Sequence, residues 1–333
     1  NRNKKSVTLD MAKPEAQAIL HRLLESTDIL VENFKVGALA KYGLGWEQLK
    51  DKYPRLIYCS ITGFGQSGPY APRPGYDALI QAMGGVMSLT GEPNGSPQKV
   101  GVPVADLFAG LYGCIGILAA LNHRTATGQG QQIDIGMLDT HVAWLANQGM
   151  NYLSTGENPP RLGNQHPNIS PYQEFPTKDG YIILAVGNDP TFERFCKAFG
   201  QAHLLADERF ATNPKRVANR DLVTQTLTPV MKSRTTAEWV EALEAQKIGC
   251  GPINTLKDVF ADPHVQARNM TLEMQHGSGA TVKVIANPVK LSATPPTYRS
   301  APPVLGEHTE AVLSGILGMS AVEIETLRAK GIL

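Results

Sequence analysis

The chain has 333 residues, of which 42% are hydrophobic, enough for a sizeable core in one large or two ordinary domains. Its 31 basic and 30 acidic residues leave a formal net charge of +1, which gives no global electrostatic reason to expect nucleic acid or an anionic membrane surface as a partner. The four cysteines are widely spaced and show no metal-ligand pattern, so we expect no metal site and a reduced setting, the cytoplasm or an organellar matrix.

Short strand-like and helix-like segments alternate through the first half of the chain. Apolar runs predict strands at 6–9, 29–31, 56–61 and 132–135. Helical spacing predicts helices starting near Pro14 and over 46–53, 76–87, 107–121 and 138–153. This alternation is typical of an α/β fold with a parallel sheet that carries helices on both faces.

The pattern changes after Asn158-Pro159-Pro160. A loop-forming stretch runs over 161–177, and the proline-rich 295–303 is typical of a linker. The remaining pattern predicts strands at 181–186 and 281–285 and helices at 191–199, 221–231, 237–245, 309–317 and 321–330. We interpret this half as a smaller α+β domain followed by a C-terminal segment.

Asp106 is the only charged residue between Lys99 and Arg124. The glycines of this run, together with Asp106, favour a core helix over a membrane span, so no membrane partner is expected. An Asp just before an apolar helix is a preferred N-cap. A helix N-terminus also lowers the cost of a negative charge, which would keep the carboxylate ionised as a nucleophile. From this segment alone both interpretations stay open.

A glycine-rich turn follows the strand predicted at 56–61. Residues 63–68, GFGQSG, match the GxGxxG pattern of dinucleotide sites. Pro69 and the stretch up to Pro74 stand where a helix should receive the pyrophosphate, which argues against a nicotinamide or flavin site. Pro69 also occupies the last glycine position of a GxSxG elbow around Ser67, so a serine nucleophile is not expected there.

Six segments follow one another in a consistent order along the whole chain: NRNKKSVTLD (1–10), DILVENFKVGAL (28–39), ITGFGQSGPYAPRPGYD (61–77), GVPVADLFAG (101–110), TGQGQQIDIGMLD (127–139) and PPVLGEHT (302–309). Together they resemble the class III, or CaiB/BaiF-type, coenzyme A transferases, and among these the formyl-CoA and succinyl-CoA:dicarboxylate transferases.

The resemblance implies a Rossmann-like large domain and an interlocked homodimer. It places the large CoA-binding domain at 1–155, the smaller domain with its entry linker at 156–290, and a segment that returns to the large domain at 291–333. Relatives begin with a further strand-helix unit. The chain starts at the segment that should follow that unit, so we expect the unit to be missing and targeting to be undetermined.

The resemblance also implies the site. Asp106 corresponds to the aspartate that carries first the acyl group and then coenzyme A. CoA itself is a substrate, so no separate cofactor is expected. The matching CoA-lining positions are Leu9, Asp10, Met11, Ala12, Asn33, Phe34, Lys35, Lys41, Gly75, Tyr76 and Asp77.

The expected reaction moves coenzyme A from an acyl-CoA to a free carboxylic acid, with a dicarboxylate as the acceptor that the similarity favours. Arg73 or Arg161 is a candidate for the distal carboxylate because the guanidinium fork suits it. Asn164 and His166 are candidates for a wall of the site. Two alternatives are weighed. One is a 2-methylacyl-CoA racemase, but the resemblance implies a histidine where this chain has Tyr76, and tyrosine is a poor base at neutral pH. The other is a catalytically silent CoA-binding protein.

Overall fold

The computed structural model describes residues 1–333. Its eight strands form three sheets: β1 (Ile29–Glu32), β2 (Ile57–Thr62) and β3 (Gln132–Gly136); β4 (Tyr172–Pro176), β5 (Tyr181–Ala185) and β6 (Gly249–Pro252); and β7 (Thr271–Gln275) and β8 (Thr281–Ile285). The first sheet is parallel and the other two are antiparallel. The predicted α/β fold with a parallel sheet is confirmed.

Fifteen α-helices connect and flank these strands: α1 (Pro14–Leu24), α2 (Trp46–Leu49), α3 (Asp77–Met83), α4 (Val86–Leu89), α5 (Val104–Thr127), α6 (Met137–Ala143), α7 (Ala146–Thr155), α8 (Asp189–Ala198), α9 (Asn213–Ala218), α10 (Arg220–Met231), α11 (Thr236–Ala245), α12 (Leu256–Ala261), α13 (Pro263–Ala267), α14 (Thr309–Leu317) and α15 (Ala321–Ala329). Two 3-10 helices lie at Leu39–Tyr42 and Ala202–Ala206.

In the parallel sheet, β2 lies between β1 and β3, with Cys59 paired to Val31 on one side and Ile133 on the other. Alternate residues of a strand point to opposite faces, so Cys59 and Ile61 share a face. Helix α5 packs on that face at Gly113, where an added Cβ would lie 3.4 Å from the Ile61 side chain. This packing fixes the N-terminus of α5 near the carboxyl ends of the strands.

The face of α5 away from the sheet carries a row of exposed apolar side chains. Leu107, Leu111, Ile115 and Leu118 recur at helical spacing and are 54–66% exposed. The core helix predicted from the sequence is therefore not covered on this face. By length and composition alone α5 could span a membrane, since an 18-residue window of it has a mean hydropathy of 1.9, a property that core helices of soluble proteins share.

The chain divides into two compact units. One unit comprises 1–86, 99–154 and 262–333, and the other comprises 87–98 and 155–261. Compactness assigns the β7–β8 hairpin to the unit that contains the parallel sheet, whereas the family resemblance implies a return at 291. The second unit has one core, built on the β4–β5–β6 sheet around Phe175, Phe195 and Trp239.

Several predicted elements differ in the structure. Residues 6–9 form no strand. Their backbone groups make isolated hydrogen bonds with the C-terminal segment, for example from the His308 N–H to Ser6 O. The helix predicted over 76–87 breaks into α3 and α4 at Gly85, whose φ is +89°. The helix predicted over 138–153 breaks into α6 and α7 before Ala146, whose φ is +48°.

Candidate active site

A cavity of about 540 Å³ opens at the carboxyl ends of β1 and β2. Loops that follow parallel strands meet at this edge, which is where α/β sheets bind ligands. The first two turns of α5 line the cavity with Asp106, Ala109 and Gly110. The lining residues are Asn33, Phe34, Lys35, Val36, Ile61, Thr62, Gly63, Ala71, Arg73, Pro74, Gly75, Tyr76, Asp77, Asp106, Ala109, Gly110 and Met137.

Asp106 lies in the first turn of α5 and its side chain is accessible from this cavity. It does not cap the helix. Pro103 occupies the N-cap position and makes no side-chain cap bond. The carboxylate of Asp77 takes over the capping function from α3, since the Ala105 N–H donates to Asp77 Oδ1 at 2.8 Å. The carboxylate of Asp106 is thus left for other partners.

Two effects raise the pKa of Asp106 above its ordinary value. The larger is burial, which disfavours the charged carboxylate, and the second is the neighbouring negative charge of Asp77. The first turn of a 24-residue helix acts in the opposite sense, because its unpaired N–H groups favour a negative charge. A carboxylate in this setting is more basic than a solvated aspartate and can act as a nucleophile.

The glycine-rich turn serves a close backbone crossing. An added Cβ on Gly75 would lie 2.3 Å from Gly63 Cα, and one on Gly63 would lie 2.5 Å from Gly75 Cα. Within the turn, the Gln66 N–H donates to the carboxylate of Asp134. The motif therefore brings the loop ahead of α3 against the end of β2. The backbone N–H of Gln66 is already bonded to the Asp134 side chain.

Arg73 lies in the cavity wall on an aromatic support. Its guanidinium carbon stands 3.9 Å from the centroid of the Tyr70 ring, and Tyr70 meets Phe64 edge-on at 5.6 Å. Phe64 is buried in the cluster that contains Ala105 and Ala109 of α5. A stacked guanidinium keeps its N–H edge for a planar anion such as a carboxylate.

The segment after β1 is fixed by two local hydrogen bonds. Asn33 Nδ2 donates to Ile61 O at 2.6 Å, and the Phe34 N–H donates to Glu32 Oε2 at 2.8 Å. The Phe34 ring is 46% exposed and, with Lys35, lines the cavity. An exposed aromatic ring can stack on a planar group, and the neighbouring lysine can pair with an anion.

Seven of the predicted positions therefore meet around one cavity, with Arg73 as an eighth: Asp106, Asn33, Phe34, Lys35, Gly75, Tyr76 and Asp77. Five predicted CoA-lining positions do not line it. Leu9 packs with Ile19 of α1. Asp10 accepts a hydrogen bond from the Ala12 N–H, and Met11 packs beside Leu24. Lys41 is exposed on the first 3-10 helix.

Two of the three substrate candidates in the second unit have local contacts of their own. Arg161 donates to Glu92 O and Gly95 O. The His166 ring stacks on Tyr172 with centroids 5.1 Å apart. Asn164 is exposed in the same loop. Because Arg161 is engaged by backbone carbonyls, Arg73 is the arginine that the described contacts leave for a ligand.

One buried residue near the cavity escaped sequence reasoning. Gln81 is fully buried, and its Nε2 donates to Asp77 Oδ2 at 2.7 Å. The available signal was its place four residues after Asp77, a spacing that brings side chains together on a helix. His141 on α6 is also fully buried, and burial lowers the pKa of its ring.

The model of CoA-transferase family III matches residues 1–309. The chain belongs to this family. It is therefore an enzyme of the transferase class, and the resemblance seen in the six segments is confirmed.

Curated relatives align with nearly the whole chain. It is 48% identical over 314 residues to the succinate–glutarate CoA-transferase of Agrobacterium fabrum, covering 94% of this chain and 78% of that protein. It is 37% identical over 332 residues to the succinyl-CoA:glutarate CoA-transferase of Homo sapiens, covering 100% and 76%.

A solved structure of the family has a similar fold. A CaiB/BaiF family protein from Brucella suis superposes with a TM-score of 0.85 at 46% identity, covering 95% of this chain and 82% of that one. At this identity the likeness supports the family assignment as well as the fold.

Proposed function

We propose that the protein transfers coenzyme A from a succinyl-CoA-type thioester to a dicarboxylic acid, with Asp106 as the nucleophile. The observation that carries this proposal is the accessible carboxylate of Asp106 in a 540 Å³ cavity at the strand ends, in a chain of CoA-transferase family III. Relatives named for succinate, glutarate and succinyl-CoA support the dicarboxylate class.

The chemistry needs no external base. The Asp106 carboxylate attacks the thioester carbonyl and the C–S bond breaks. This step releases CoA thiolate and forms an acyl-aspartyl anhydride. The thiolate then attacks the aspartyl carbonyl and displaces the donor acid, which forms an aspartyl-CoA thioester. The acceptor carboxylate attacks that thioester and releases the thiolate again. Attack of the thiolate on the acceptor's acyl carbon yields the new acyl-CoA and restores Asp106.

Trapping the acyl-enzyme tests this role. Intact protein treated with succinyl-CoA and hydroxylamine should acquire a hydroxamate on the peptide that contains Asp106, because hydroxylamine attacks the aspartyl carbonyl of the aspartyl-CoA thioester and displaces CoA thiolate. Asp106→Asn should fold, lose the label and lose transfer by roughly a thousandfold or more, as expected for removal of a nucleophile. A label elsewhere, or an active Asn variant, would contradict the assignment. CoA binding without label or transfer would identify a silent CoA-binding protein.

We further propose that Arg73 binds the distal carboxylate of the acceptor. Its support on Tyr70 leaves the guanidinium edge toward the cavity that also contains Asp106. A charge-assisted hydrogen bond to a carboxylate is worth about 1.5–3 kcal/mol. Arg73→Met should therefore raise the KM for glutarate roughly ten- to hundredfold.

A monocarboxylate with the same chain length is the control substrate, because it offers no distal charge. Its KM should change little in Arg73→Met. Equal losses for both acids would mean that Arg73 only supports the loop, and an unchanged KM for glutarate would remove Arg73 from the site.

We also propose a homodimer whose two chains interlock, and a reduced compartment. The exposed row on α5 supports a second copy as its cover, and all four cysteines are free thiols.

A further inference from the structure

The segment that leads into Asp106 is held at both ends by one helix. At its C-terminal end, the Ala105 N–H donates to Asp77 Oδ1 at 2.8 Å. At its N-terminal end, the Val100 N–H donates to Gln81 Oε1 at 2.9 Å. Asp77 and Gln81 lie one turn apart on α3, so a single rigid element fixes residues 100–105 from outside α5.

Gln81 completes this arrangement by bonding its own neighbour. Its Nε2 donates to Asp77 Oδ2 at 2.7 Å while its Oε1 holds Val100. Each oxygen of the Asp77 carboxylate therefore accepts one hydrogen bond, from Ala105 and from Gln81. A carboxylate with both oxygens engaged has a fixed orientation, and Gln81 is fully buried, which makes its bonds costly to lose.

The orientation of Asp77 matters because its charge acts on Asp106. The two carboxylates line the same cavity, and Asp77 is one of the two causes that disfavour ionisation of Asp106. If Asp77 lost a donor, its charge would be less dispersed and its position less defined. Asp106 would then be harder to ionise and less accurately placed for attack.

We propose that Gln81 is a positioning residue for the transfer reaction. It locks Asp77 and the 100–105 segment so that the Asp106 carboxylate stands at a fixed place in the cavity. This proposal rests on the proposed role of Asp106 as nucleophile. Gln81 itself lies outside the cavity lining, so it acts only through Asp77 and the segment.

Two variants separate the functions of Gln81. Gln81→Met keeps the size and removes both hydrogen bonds. Gln81→Glu keeps an acceptor for Val100 and replaces the amide donor to Asp77 by a second carboxyl group, which competes with Asp77 for a proton. We expect both to lower kcat roughly ten- to hundredfold, the effect of misplacing a reacting group by about 1 Å, with little change in the KM for acyl-CoA. The acid limb of the kcat/KM profile should move to higher pH in Gln81→Met, because Asp77 loses the donor that disperses its charge.

Gln173→Met is the matched control, since Gln173 is also a buried glutamine that accepts a hydrogen bond, from Thr224, in the second unit. It should leave the pH profile unchanged. Wild-type kcat in both Gln81 variants, with an unmoved acid limb in Gln81→Met, would overturn the proposal. A kcat loss that matches the unfolded fraction, with an unmoved limb, would also overturn it.

The trapping experiment distinguishes the two proposals. If hydroxylamine fails to label Asp106 in the wild type, the nucleophile assignment fails. If the wild type is labelled and Gln81→Met is labelled at the same rate, the Gln81 proposal alone fails. Hydrogen exchange on the wild type gives a test that needs no variant. The Val100 and Ala105 amides should be protected from exchange. Rapid exchange of both in the folded protein would contradict their hydrogen bonds to α3.

Discussion

At the scale of single residues, the proposed reaction requires Asp106 to be both reactive and ionised. Burial and the charge of Asp77 raise its pKa, and so the carboxylate is a better nucleophile than an ordinary aspartate. The same shift means that the protonated, inactive form persists to a higher pH. The charge of Asp77 therefore makes the Asp106 carboxylate more basic but also lowers its ionised fraction in acid, and the pH dependence of activity measures this effect.

Asp77→Asn should move the acid limb of the kcat/KM profile to lower pH. The substitution removes the like charge beside Asp106, so the pKa of Asp106 falls and the anion survives further into acid. The amide oxygen can still accept from the Ala105 N–H, which preserves the cap on α5. The measurement is kcat/KM against pH for the wild type and the variant.

Asp221→Asn is the control for this profile, because Asp221 is an exposed aspartate in the first turn of α10. It should leave the limb in place. A limb that shifts to higher pH in Asp77→Asn, or does not shift, would contradict the electrostatic link between the two carboxylates.

Sequence alone revealed Asp106 because a single charge in a long apolar run is conspicuous. Its capping role was wrong for a reason that sequence does not carry. The acceptor for the Ala105 N–H comes from Asp77, 28 residues earlier, through tertiary contact. Gln81 stayed hidden for the same reason, since glutamine in a helix is ordinary until its burial is known.

At the scale of elements, the site depends on two backbones that touch. The end of β2 at Gly63 and the loop ahead of α3 at Gly75 approach so closely that neither position has space for a Cβ. This crossing places Arg73, Tyr76 and Asp77 beside the first turn of α5.

Gly75→Ala should therefore separate the loop from β2. An added Cβ would lie 2.3 Å from Gly63 Cα, and backbone atoms cannot move aside cheaply. We expect a loss of about 1–3 kcal/mol in the free energy of unfolding, as for other overpacked sites, together with weaker CoA binding. Chemical denaturation and isothermal titration with CoA measure the two effects.

Gly187→Ala is the matched control, because a Cβ there meets no atom within 4 Å and its φ is not positive. It should leave CoA binding unchanged. Normal stability and CoA binding in Gly75→Ala would show that the loop can move without consequence.

Local periodicity predicted the strands of the parallel sheet to within a residue or two, because each is a short apolar run between turn residues. It failed where conformation depends on distant contacts. Strand β4 lies in the stretch predicted as a loop, yet it pairs with β5 in a register that starts with Tyr172 opposite Ala185. The breaks at Gly85 and Ala146 need left-handed backbone that an apolar pattern does not reveal.

At the scale of the whole molecule, both chain ends belong to the unit that contains the parallel sheet. Helix α1 packs with α14 through Ile19 and Leu313, and the Asp10 N–H donates to Ile332 O at 2.8 Å. The chain therefore leaves this unit at 87–98 and at 155–261 and returns to it each time. Such a path permits two copies to interlock.

The exposed row on α5 makes the dimer testable. If a second copy covers Leu107, Leu111, Ile115 and Leu118, the protein should have twice the mass of one 36.0 kDa chain in light scattering. A chain that carries Ile115→Glu and Leu118→Glu from synthesis should fold as a monomer of half that mass, because burying an unpaired charge during assembly is costly. Val322→Glu, at an exposed apolar position on α15, is the control and should keep the dimer. If the two chains interlock, labelled and unlabelled wild-type dimers should exchange subunits only under unfolding conditions. Rapid exchange in native buffer would mean that the chains are not linked.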